Sequence, residues 1–98
     1  MKGIFKYELI IADHSKLCLP VGTIILSVQA QRDTICLWAV VDECQKELCL
    51  VDIFMYVTGQ NISDKDLADK RFAGTVQLGE LVYHVFLQYG NNIQYLIV

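Results

Sequence analysis

The sequence predicts an all-β domain, a small antiparallel sandwich or barrel of about seven strands with one short helical turn. Apolar residues alternate with a period of two along most of the chain, and β-branched and aromatic residues fill those runs. One proline and six glycines fall where the alternation changes, which marks strand ends. Only residues 59–71 break the strand rhythm.

Residues 3–11 read as the first strand, followed by a polar turn around Asp13, His14 and Ser15 and a short extended piece, residues 17–19, stopped by Pro20. Between residues 23 and 31, alternation puts Ile24, Leu26, Val28 and Ala30 on one face. Ile25, Ser27, Gln29 and Gln31 fall on the other, a polar face open to water or a ligand. Arg32-Asp33 is a tight turn into residues 34–41, which are apolar on both faces, as in a central or covered strand. The segment 42–47 reads as a charged hairpin loop, and residues 48–58 as a long strand interrupted by Asp52. Because an unpaired buried acid is costly, Asp52 is expected to meet an edge, a bulge or a cation. Ser63 precedes acids in a first turn and predicts a capped helical turn. Residues 72–78, 81–87 and 93–98, joined by Gly79-Glu80 and Gly90-Asn91-Asn92, read as a three-stranded meander.

A chain of 98 residues fits one domain, residues 1–98, with 89–98 as an added C-terminal edge strand. Hydrophobic residues make up 54% and charged residues 19%, against roughly 45–50% and 25% in typical domains. That apolar excess predicts a self-association surface and a homo-oligomer. Eight basic against eleven acidic residues give a formal charge of −3. No concentrated positive surface is present for nucleic acid, although the Lys70-Arg71 pair suits a single phosphate or carboxylate. The apolar runs are too short for a membrane-spanning helix, the N-terminus lacks a signal-peptide profile, and a cytoplasmic protein with four reduced cysteines is expected.

No catalytic group, cofactor or metal site is expected. His84 alternates with Val82 and Phe86 and reads first as a structural histidine with a bonded ring, with ligand binding as the alternative. His14, Cys18, Cys44 and Cys49 formally offer metal ligands, but the spacing departs from a zinc knuckle. There is no glycine-rich phosphate loop. Trp38, Tyr56, Tyr83 and Arg71 remain candidates for stacking on a nucleotide, with core packing favoured for Trp38.

The ordered motifs LPVGTIILSVQAQ, CLWAVVD, VTGQNI and FAGTVQLGELVYHVF resemble a family of short, uncharacterised bacteriophage and prophage proteins, over roughly residues 4–86. The family chain typically ends soon after the segment matching His84-Val85-Phe86, whereas this chain continues as LQYGNNIQYLIV. Glycine is more common in the family where Val57 stands, which changes the surroundings of Thr58 and Gly59. The resemblance carries no catalytic residue and implies a phage setting.

Together these readings predict a non-catalytic binding protein. In one version a homo-oligomer sequesters a small anionic, nucleotide-like ligand in a counter-defence role, with Gln29, Gln31, Arg32, Trp38, Lys70, Arg71, Tyr83 and His84 as ligand-binding candidates. In the other, an exposed strand edge binds a host or phage protein.

Overall fold

The computed structural model describes residues 1–95. Its elements in chain order are β1 (Lys2–Leu9), β2 (His14–Pro20), β3 (Ile24–Gln31), β4 (Thr34–Asp42), β5 (Leu48–Val57), α1 (Asp64–Ala68), β6 (Arg71–Leu78), β7 (Leu81–Gln88) and β8 (Gln94–Tyr95). They build two sheets, ordered β1-β4-β3-β8 and β2-β5-β7-β6. Pairing is antiparallel throughout except between β3 and the two-residue β8. The arrangement is the predicted all-β one and sandwich-like.

The core lies between the sheets. Ile25, Val28, Ile35, Leu37 and Ala39 from the first sheet meet Leu19, Val51, Ile53, Val85 and Leu87 from the second. β4 is central in its sheet, as its two-faced apolar pattern implies. On β3 simple alternation fails. Ile25 and Val28 are both buried although three positions apart, because the register shifts between Ile25 and Ser27. That bulge leaves Leu26 as an extra residue, so Ile24, not Ile25, shares the outer face with Ser27, Gln29 and Gln31.

Three connections differ from expectation. Residues 43–47 are not a hairpin, since β4 pairs with β1 and β3 while β5 pairs with β2 and β7, so this loop crosses between sheets. β2 begins at His14, earlier than the polar residues suggest, because it pairs along its length with β5. The final strand does not extend a meander. β6 and β7 form the expected hairpin, but β8 leaves that sheet and lies parallel to β3, with Ile24 opposite Gln94 and Ile25 opposite Tyr95. Asn92 and Gln94 exchange backbone bonds with Gly22 and Thr23, and Ile93 is buried in the core, which draws the segment across. Residues 96–98 of the expected strand lie outside the described residues.

The helical turn forms as predicted, with Ser63 Oγ accepting from the Asp66 backbone N–H at 3.0 Å. Asp52 is not left without a partner: His14 Nε2 lies 2.7 Å from its Oδ1. The four cysteines are free thiols. No helix among the described residues is long and apolar enough to cross a membrane.

Candidate functional site

Antiparallel pairing lines up residues of neighbouring strands in rows, so the register determines which side chains share an outer face. On the first sheet one row runs Lys6, Trp38, Ser27 and the next runs Glu8, Cys36, Gln29, with Thr34 and Gln31 opposite each other beside the turn. Trp38 is therefore not a core residue. It alternates with the buried Leu37 and Ala39 and stands half-buried on the outer face. Cys36, short and central, is covered completely by its longer neighbours, and its thiol lies 3.4 Å from Thr34 Oγ1.

At the end of this face a depression of about 370 Å³ is lined by Lys6, Glu8, Gln31, Arg32, Asp33 and Thr34. Lys6 Nζ donates to Gln31 Oε1 at 2.6 Å, which couples β1 to β3 across the central strand. Arg32 holds φ at 57°, a left-handed conformation unusual for a side chain of its kind. Among the described residues no protein group bonds its guanidinium, which leaves the five N–H donors open to an incoming anion.

The second sheet presents a different surface. One register row runs His14, Phe54, Phe86, Phe72 across all four strands. The His14 ring stacks on Phe54 with centroids 4.4 Å apart, and Phe86 takes edge contacts from Phe72 at 5.5 Å and Tyr56 at 5.7 Å. Lys70 Nζ sits 4.3 Å from the Phe54 ring centroid and donates to the Asp66 carbonyl. In the next row His84 is held at both ring nitrogens, Nε2 by Thr58 Oγ1 at 2.8 Å and Nδ1 by Thr75 Oγ1 at 3.0 Å. A neutral imidazole has one donor and one acceptor nitrogen, and the two hydroxyls can serve either, so the ring is fixed in place.

The eight residues singled out in the sequence thus do not converge. Gln29, Gln31, Arg32 and Trp38 share the first sheet and its turn, whereas Lys70 and His84 lie on the outer face of the second. Tyr83 packs against the core from β7. Arg71 pairs with Leu87, away from the Phe72 row, and its charge reaches Tyr89. Lys6 was missed because alternation within one strand does not show which strand becomes its neighbour. The aromatic row was missed for the same reason. Of the formal metal set, no group of three or more His, Cys, Asp or Glu gathers among the described residues.

Fold and surface together define a small β-sandwich that displays a polar, tryptophan-centred face on one sheet and an aromatic face on the other. The chain belongs to the family described as a domain of unknown function (DUF7352), whose model matches residues 1–95. No curated protein and no solved structure matches it.

Proposed function

We infer that the protein is a non-catalytic binding protein that sequesters a small anionic, ring-bearing ligand on the outer face of the first sheet. The carrying observation is the register that sets Trp38 between Lys6 and Ser27, one row from Gln29 and two from the Gln31-Thr34 pair that flanks the turn, with Lys6 reaching Gln31 along this face. A planar ring stacks on the indole, the amides of Gln29 and Gln31 bond its edge, and Lys6 and Arg32 meet the anionic group. The motif resemblance supports a phage or prophage setting, in which capture of a nucleotide-type immune signal in the host cytoplasm counters defence. The apolar excess supports a homo-oligomer as the active form.

Trp38 is the single tryptophan, so its fluorescence reports this face alone. Titration with a panel of nucleotides and cyclic nucleotides is expected to change Trp38 emission and raise Tm, with Lys6→Ala weakening binding at least about tenfold through loss of a charged hydrogen bond. A panel that moves neither signal at millimolar concentration overturns the reading.

Arg32→Gly supplies a further test. Glycine occupies the left-handed region without the penalty that arginine incurs there, so the variant is expected to gain about 0.5–1 kcal/mol in urea unfolding while binding the anion more weakly. A loss of stability would mean that the Arg32 side chain holds the turn.

A second reading has its own observation. Residues 27–30 of β3 and 72–77 of β6 border a cleft of about 540 Å³, and among the described residues β6 pairs only with β7. An extended segment of a host or phage protein adds to such an edge by backbone hydrogen bonds. Pull-down of a specific partner that raises the protection of the β6 amides from hydrogen exchange supports it, and unchanged protection rules it out.

A further inference from the structure

Residues 59–70 fold back over the aromatic face of the second sheet. Lys70 lies on Phe54, and burial first, then the carboxylates of Asp66 and Asp13, push the Tyr56 phenol up. α1 itself buries no residue, so the segment rests on the sheet as a strap and not as part of the core. Between strap and sheet lies a depression of about 260 Å³, walled by Tyr56, Ile62, Phe86 and His84 and bordered by Gly59 and Gln60.

This space has the features of a site for a flat ring. Tyr56 and Phe86 meet edge to face, an arrangement that accepts another aromatic edge or face, and Ile62 closes the opposite wall from the strap. Gly59, at φ 95°, has no heavy atom within 4 Å of the position a Cβ would take, which leaves the rim open. Polar groups are few and available. Gln60 Oε1 is used, accepting from the Val57 backbone N–H at 3.1 Å, but among the described residues nothing accepts from its side-chain NH₂ or bonds the Tyr56 hydroxyl. The Thr58 and Thr75 hydroxyls hold His84 rigidly, so the far wall is preorganised.

We propose that this depression binds a small neutral heteroaromatic ring bearing hydrogen-bond acceptors, gripped by Tyr56, Phe86 and Ile62 and read at its edge by the Gln60 amide. No Asp, Glu, Lys or Arg lines it, which sets its ligand apart from the anion expected on the first sheet.

The test uses nicotinamide as probe and cyclohexanecarboxamide as its non-planar counterpart, followed by NMR at the His84 ring and the Ile62 methyl groups. Nicotinamide is expected to shift both signals saturably at millimolar concentration, with the saturated analogue at least tenfold weaker. Ile62→Trp, on the exposed strap, is expected to fill the space and abolish the shift at the His84 ring, the signal that remains to be read in this variant, and Gln60→Leu to weaken binding severalfold. Silent His84 and Ile62 signals up to the solubility limit, equal binding of the two amides, or a shift that survives Ile62→Trp would each overturn the proposal. Trp38 emission reports the other sheet, so failure here and failure of the anion-binding reading are distinguishable.

Discussion

Replacement of Leu37 by alanine is expected to lower Tm by at least about 12 °C, the equivalent of about 3 kcal/mol in a domain of this size. Leu37 sits in the middle of the central strand β4, opposite Tyr7 on one side and Val28 on the other, and it has no exposed surface. Truncation removes the transfer free energy of its side chain and leaves a void that paired strands on both flanks prevent from collapsing. Total stabilities of small domains are about 5–15 kcal/mol, so this single change removes a large part of the margin. Leu48→Ala is the control: Leu48 is 62% exposed, and its truncation is expected to cost about 0.5 kcal/mol or less. Equal melting shifts for the two variants would show that the inter-sheet packing does not carry the stability.

Gly74→Ala is expected to destabilise by about 2 kcal/mol, although alanine normally stiffens the unfolded chain in the folded state's favour. An added Cβ at Gly74 would lie 2.8 Å from the backbone oxygen of Val28. The obstacle is backbone, so no rotamer change relieves it, and Val28→Ala in the same chain is expected to give no rescue. Relief requires β6 to move away from β3 along the side where the two sheets come closest. The bulge between Phe72 and Gly74 aims β6 at that contact. Gly90 offers the comparison, since a Cβ there has nothing within 4 Å, and Gly90→Ala is expected to leave stability unchanged or slightly higher. Unchanged urea midpoints for Gly74→Ala would mean that the sheets separate there without penalty.

Much of the local structure was legible in the sequence because it depends on neighbours along the chain. The Arg32-Asp33 and Gly79-Glu80 turns join strands that do pair, and Ser63 caps the one helix. The two-faced apolar run of β4 announced a central strand. At the candidate sites the legible part was smaller. Gln29 and Gln31 could be assigned to one polar face by alternation, and His84 could be recognised as a histidine needing partners. Thr58 and Thr75, which supply them, lie on two other segments.

What the sequence determined by itself is the class of fold: period-two alternation, turn residues at its breaks and one capped turn suffice for an all-β chain, because each strand buries one face whatever its partner. The tertiary structure alone decided which sheet each strand joins. Short connections between strands look alike whether they form a hairpin or cross from one sheet to the other, so the crossing at residues 43–47 and the parallel docking of β8 on β3 could not be read. Bulges decided the rest, since one extra residue in β3 or β6 reverses the faces of all that follow. The row of Lys6 with Trp38 and the row of His14, Phe54, Phe86 and Phe72 exist only through that pairing.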